Sequence, residues 1–318
     1  MQAIRPGVRR DRPVYLAGTP ASSSAGTVPF CFPHANGSTV LLELTFLGTG
    51  TSTGVPVIGC DCDVCQSPDP RDSRLRCSVV VRTETTTVLI DTSPDLRTQV
   101  LRDPFERFDA VLFTHAHADH TAGLDELRRY NAMQQQHLPV WADAETGRSL
   151  RERFAYTFVD QYPYYGVKPD LLLADVDGPF RVGDLDIQPI PVMHGRLPIL
   201  GYRFGPIAYL TDVKTIPDTS MELLRNLDVL VLTALRQKPH PAHLGLREAI
   251  SLSESLRPRH TLFTHVAHDM GRFADVSPLL PRGMALAHDR ERIQIDERRN
   301  DNDLVRFLPA SETGDFST

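Results

Sequence analysis

The chain has 318 residues, 41% hydrophobic and 23% charged, with a formal net charge of −6 at pH 7. This length suits one large domain or two small ones. The acidic balance, without a basic run in the middle of the chain, argues against a broad nucleic-acid surface, and no apolar run approaches the roughly 20 residues needed to span a bilayer.

Residues 1–42 read as a disordered extension: Arg5, Arg9, Arg10 and Arg12 precede a Ser, Ala, Gly and Pro stretch, and Pro6 and Pro13 interrupt any amphipathic helix. A strand over 44–47 then runs into Gly48-Thr49-Gly50, Gly54-Val55-Pro56 and the segment Cys60-Asp61-Cys62-Asp63-Val64-Cys65. With nothing like a secretory leader, the expected location is cytoplasmic, organelle targeting by the extension being left open, and a disulfide framework is not expected. Three of the five cysteines within six residues instead suggest a structural zinc, whose fourth tetrahedral position a distant histidine would fill. Cys77, beside a strand over 78–81, reads as a core thiol. Asp91 ends the next strand; alone, it is a functional carboxylate or the N-cap of a helix over 93–101.

The densest signal follows a short apolar strand over 109–113: Thr114-His115-Ala116-His117-Ala118-Asp119-His120. Packing does not account for three histidines and a carboxylate in six positions, whereas zinc, manganese and iron accept this donor set. Downstream, His194 follows a strand over 187–192, Asp212 one over 207–211, and His265 one over 261–264. Donors delivered from the same edge of several strands can converge on one point. His243 lies between a strand over 227–233 and a helix over 246–256, and His268 comes three residues after His265. Arg128 reads as a solvated helix residue or a phosphate contact. The aromatics Phe154, Tyr156, Phe158, Tyr162, Tyr164 and Tyr165 line a pocket or cap a core. Two strand-rich halves are expected, 43–185 and 186–300, forming one domain over 43–300 with a site between them and a fraying tail over 301–318.

The His-x-His-x-Asp-His loop followed by a distant His, an Asp and a last His resembles the metallo-β-lactamase superfamily at all seven positions. That resemblance implies an α/β fold, a four-layer αββα sandwich of two mixed β-sheets flanked by helices. It also implies two divalent metals, zinc or manganese or iron: one on His115, His117 and His194, the other on Asp119, His120 and His265, with Asp212 bridging. Asp91 matches the superfamily's first motif, with an implied role in orienting a ligand histidine. The Gly-Thr-Gly turn, the cysteine segment and Thr264-His265-Val266-Ala267-His268 narrow the resemblance to phosphodiesterases like the one acting on phosphoribosyl 1,2-cyclic phosphate. In that branch Cys60, Cys62, Cys65 and His268 would hold a structural zinc, and His243 would be the general acid, with His240 as its fallback; a histidine near its reference pKa suits that task.

The function expected is hydrolysis of a small phosphodiester, cyclic or linear, by a metal-bridging hydroxide. The partners expected are that substrate and, in a homodimer, a second copy of the chain; no membrane and no nucleic acid are expected. Alternatives are a tRNA 3′-end endonuclease, for which the chain shows no basic, glycine-rich arm, a lactone or thioester hydrolase on the same fold, and a non-enzymatic metal-binding protein.

Overall fold

The computed structural model describes residues 41–159, 166–296 and 305–308. The expectations for residues 1–40, for Tyr162, Tyr164 and Tyr165, and for most of the tail fall outside them. In chain order, β1 (Leu41–Gly48), β2 (Ser78–Arg82), β3 (Thr87–Ile90), β4 (Ala110–Leu112), β5 (Leu138–Ala142) and β6 (Leu171–Asp175) build a first sheet. A second holds β7 (Phe180–Val182), β8 (Leu185–His194), β9 (Leu197–Phe204), β10 (Ile207–Leu210), β11 (Val229–Thr233), β12 (His260–Thr264) and β13 (Met284–Leu286). The chain then returns to the first sheet with β14 (Arg292–Asp296) and β15 (Val305–Leu308), giving the orders β15-β14-β1-β2-β3-β4-β5-β6 and β13-β12-β11-β10-β9-β8-β7. Two departures from the sequence reading follow. The first sheet is completed from the end of the chain, and Val305–Leu308, within the expected tail, pairs antiparallel with β14, whose backbone donors and acceptors would otherwise lie open at an edge.

Both sheets are mixed. The β3-β4-β5-β6 and β10-β11-β12-β13 pairings are parallel, while β1 pairs antiparallel with both β14 and β2. The strands read as near-continuous apolar runs because both of their faces are covered. Val79 and Val81 of β2 face the second sheet in a central cluster with Tyr202, Tyr209, Val229 and Val231, while Val80 between them packs outward with Leu89 and Val111.

The outer layers are helical. On the first sheet lie α1 (Leu96–Arg102), α2 (Ala118–Thr121), α3 (Leu127–Gln134) and α4 (Ala144–Arg153), with Leu96, Leu127 and Leu150 in the outer cluster. On the second lie α5 (Asp218–Leu223), α6 (Leu246–Leu256) and α7 (Phe273–Val276), with Leu246, Ala249 and Val276 packed on Leu230 and Leu232. Three clusters separated by two sheets make the expected αββα sandwich. Each fully buried Val, Leu or Phe contributes about 1.5–3 kcal/mol. The helix expected over 93–101 begins only at Leu96 with Asp95 at its N-cap, because Pro94 disfavours helical backbone at Ser93. No helix among the described residues is long and apolar enough to cross a membrane.

Candidate metal centre

The convergence follows from strand direction. The β3, β4 and β5 strands run parallel, so Asp91 and the histidine loop leave the first sheet at one edge. In the second sheet β8 and β10 both run antiparallel to β9 and therefore parallel to each other, which places His194, Asp212 and His265 at a common carboxyl edge. The two edges are joined where Leu200 N–H donates to the Thr114 carbonyl at 3.0 Å and the Tyr202 hydroxyl donates to the Phe113 carbonyl at 2.8 Å. Asp91, Asp212 and His265 each adopt a left-handed backbone, with φ of 62°, 60° and 58°. For residues other than glycine this costs about 1–2 kcal/mol each. Such strain persists where the surrounding structure over-determines it, commonly at functional sites.

The side chains form three groups able to hold a metal ion, the donor atoms of each lying within 4.8 Å of one another: His115, His117 and His194; Asp119, His120, Asp212 and His265; and Cys60, Cys62, Cys65 and His268. A further set, His194, Asp212 and His243, satisfies the same distance, so Asp212 and His194 link the first two groups. All the residues expected at the metals are therefore brought together. Their tautomers are set from behind. Asp91, fully buried, accepts from Thr114 N–H at 2.8 Å and lies 2.7 Å from His120 Nδ1. The Thr114 hydroxyl donates to the same carboxylate at 2.8 Å, so it is free to accept from His115 Nδ1, 3.0 Å away. His194 Nδ1 donates to the Ala242 carbonyl at 2.9 Å. His115 and His194 thus present Nε2 lone pairs to the site, while Asp91 turns the Nε2 of His120 toward Asp119 and Asp212, whose charge, against burial, raises its pKa.

That arrangement fits cations. His115 Nε2 lies 3.0 Å from His117 Nδ1. His120 Nε2 lies 3.2 Å from both Asp119 and Asp212, and His265 Nε2 lies 3.0 Å from Asp212, yet these two nitrogens are buried without a hydrogen bond. Buried polar atoms without partners are rare unless something else satisfies them. Burial, then the neighbouring His120, keeps His115 neutral, and burial does the same for His117. Burial opposes ionisation of Asp119 and Asp212, but the facing imidazoles outweigh it and hold both carboxylates ionised. At the second site the Cys65 backbone N–H lowers the Cys62 thiol to about 6, while burial and the adjacent thiols raise Cys65 to about 11. Three thiols so close ionise together only around a cation. His268 Nδ1 lies 3.3, 3.5 and 3.4 Å from Cys60, Cys62 and Cys65.

His243 lies beside the shared carboxylate, with Nδ1 3.8 Å from Asp212 and its ring 4.8 Å from that of His265 and 4.4 Å from that of His194. It is not near its reference pKa, as the sequence reading supposed. Burial, helped by His265, pushes it down to about 3. The helix-cap reading of Asp91 is also overturned, since its carboxylate is committed to Thr114 and His120. Arg128 pairs with Asp125 at 2.9 Å, the carboxylate that also accepts from Tyr156, while Phe154 and Phe158 pack on the outer core. Cys77 is buried beside Thr264, and burial raises its thiol to about 12. Sequence reasoning missed Thr114, the Ala242 carbonyl and Arg153, whose Nη2 donates to the Ala116 carbonyl at 2.6 Å within the histidine loop. Only Thr114, a hydroxyl next to a ligand-type histidine, carried a local signal. Gly123 permits the loop's close return: a Cβ there would lie 2.1 Å from the Ser93 carbonyl oxygen.

Residues 86–266, more than half of the chain, match the beta-lactamase superfamily domain. The chain belongs to the metallo-β-lactamase superfamily. Within this superfamily, a crystal structure of a new diphosphatase from the PhnP family is 43% identical, with a TM-score of 0.75, and the match covers 80% of this chain and 98% of that one. The human short-form tRNase Z, at 19% identity and a TM-score of 0.55 over 79% of this chain and 98% of that one, shares the metallo-β-lactamase fold. Among curated proteins, an octanoyltransferase of Porphyromonas gingivalis (strain ATCC BAA-308 / W83) is 40% identical over 261 residues, which is 81% of this chain. The chain spans about half the length of that relative, 52%. The chain has the fold of metallo-hydrolase enzymes.

Proposed function

We propose that the protein is a dinuclear metal phosphodiesterase acting on a small phosphodiester. The observation that carries this reading is the position of Asp212, which belongs at once to the group with Asp119, His120 and His265 and to a group with His194. In this reading His115, His117 and His194 would hold one ion and Asp119, His120 and His265 a second, with Asp212 within reach of both groups. The nitrogen and oxygen donors suit zinc, manganese or iron, and Cys60, Cys62, Cys65 and His268 suit a structural zinc. Such a pair supplies a water of lowered pKa and offsets negative charge on the phosphoryl oxygens.

The chain's own residues do the rest. Asp91 holds His120, and through Thr114 also His115, in the required tautomer. His243 lies beside the shared carboxylate; burial and His265 keep it neutral, so what it can offer the leaving oxygen is a ring N–H hydrogen bond as charge develops there. The 43% identity to a diphosphatase favours, among such esters, a substrate whose scissile phosphorus is joined to a second phosphate through an anhydride oxygen.

The test is hydrolysis of bis-p-nitrophenyl phosphate by protein of measured metal content, alongside a phosphomonoester, a lactone and an octanoyl thioester. Diester turnover with about three metals per chain, abolished by His117→Ala or Asp212→Ala with the fold retained, is the expected result. Silence on the diester with turnover of the lactone or thioester would assign the chain to another chemistry on the same fold.

A further inference from the structure

Residues 235–246 close into a tight loop beside the metal centre. Leu235 N–H donates to the Leu244 carbonyl at 2.9 Å, and Leu246 N–H donates to the Arg236 carbonyl at 2.9 Å. The Arg236 guanidinium ties the tip by donating to the carbonyls of Lys238 at 3.3 Å and Pro239 at 3.0 Å. At the base the chain passes so near that a Cβ on Gly245 would lie 3.0 Å from the Lys238 carbonyl oxygen. Through the bond from His194 to Ala242 the loop is also fastened to the histidine cluster.

This loop presents two imidazoles in succession. The His243 ring is 4.4 Å from that of His194, and the His240 ring is 5.0 Å from that of His243. Ala242 N–H donates to His240 Nδ1 at 3.2 Å. A backbone amide cannot accept in return, so Nδ1 is the bare nitrogen and the proton sits on Nε2. That Nε2–H has no acceptor in the protein among the described residues. The cations near it are already engaged: Lys214 pairs with Glu248 at 2.7 Å, and Arg236 is held by the loop carbonyls. They contribute a positive field at His240 rather than a contact.

We infer that His240 is a pre-oriented hydrogen-bond donor for a second phosphate of the substrate, the one on the far side of the scissile bond, and that it selects diphosphate-type substrates over simple phosphodiesters. The inference rests on the phosphodiesterase reading for its substrate class. A rigid N–H held in place by a backbone bond contributes selectivity because little ordering is needed when the ligand arrives.

The experiment is calorimetric titration of metal-loaded protein with methylenediphosphonate and, separately, methylphosphonate. The His240→Ala variant should bind the diphosphonate about tenfold more weakly while its methylphosphonate affinity changes less than about twofold. His240→Gln, which keeps an N–H donor, should recover most of the loss. The imidazole nitrogen spectrum of the wild type should show His240 as the Nε2–H tautomer, its signal moving with the diphosphonate only. Equal weakening of both ligands, no weakening of either, or a wild type that prefers the monophosphonate would overturn the proposal. Diester turnover alongside any of those outcomes leaves the phosphodiesterase reading standing. Selective diphosphonate binding through His240 without diester turnover would instead remove that reading and keep the subsite.

Discussion

Asp91 shows how much of this site is held from behind. One buried carboxylate receives the Thr114 amide and hydroxyl and the His120 ring, and so orients two histidines on different turns of the same loop. Its partners were invisible in the sequence because Thr114 lies 23 residues away and the two meet only through parallel pairing of β3 and β4. His243 was placed correctly but not characterised correctly: its pKa depends on burial and on His265, 22 positions downstream. In the proposed reaction it donates to the leaving oxygen. His243→Ala should therefore slow hydrolysis of an alkyl phosphodiester about a hundredfold, the scale on which loss of one hydrogen-bond donor to a developing oxyanion acts, and barely affect a p-nitrophenyl diester, whose leaving oxygen carries little localised charge. Paired kcat/KM measurements on the two substrates decide the matter, and equal slowing would remove the role.

The excursion from Gly50 to Cys77 has little regular secondary structure, yet it is anchored at many points. Val55 and Arg74 exchange backbone hydrogen bonds at 2.9 and 2.7 Å, Thr51 N–H donates to the Val266 carbonyl, and Val266 N–H donates to the Thr49 carbonyl. Beneath it Asp289, arriving from the far end of the chain, accepts from the Thr49 amide and hydroxyl, the Leu75 amide and Arg102. The knot of three cysteines closes on His268, three residues after His265, so one segment serves both proposed metal sites. Cys62→Ser should remove one equivalent of zinc by elemental analysis and lower stability by about 3 kcal/mol or more, the scale on which loss of a metal site acts. Diester turnover at a temperature where the variant remains folded should fall much less. Unchanged zinc content would refute the structural site.

On the scale of the whole molecule, the two sheets share one centre: Asp91, His115, His117, Asp119 and His120 follow strands of the first, and His194, Asp212 and His265 follow strands of the second. Metals bound there would cross-link the sheets. Chelation should lower the melting temperature, because ions that bind only the folded state stabilise it by about 2.7 kcal/mol per site at a hundredfold excess over Kd. Hydrogen exchange should rise at the carboxyl ends of β4 and β12 together; a melting temperature unmoved after verified metal loss would contradict the cross-link. The histidine loop, the cysteine segment and the runs of β-branched and apolar residues were legible in the sequence because donor spacing and hydrophobic pattern are local properties. The family followed from motif order, also a one-dimensional property. Strand order, the return of β14 and β15 to the first sheet, the left-handed turns at Asp91, Asp212 and His265, the tautomers and the His243 environment were decided only in the folded chain. Each depends on groups far apart in sequence, brought together by backbone pairing and burial, and a residue's neighbours in sequence carry no record of them.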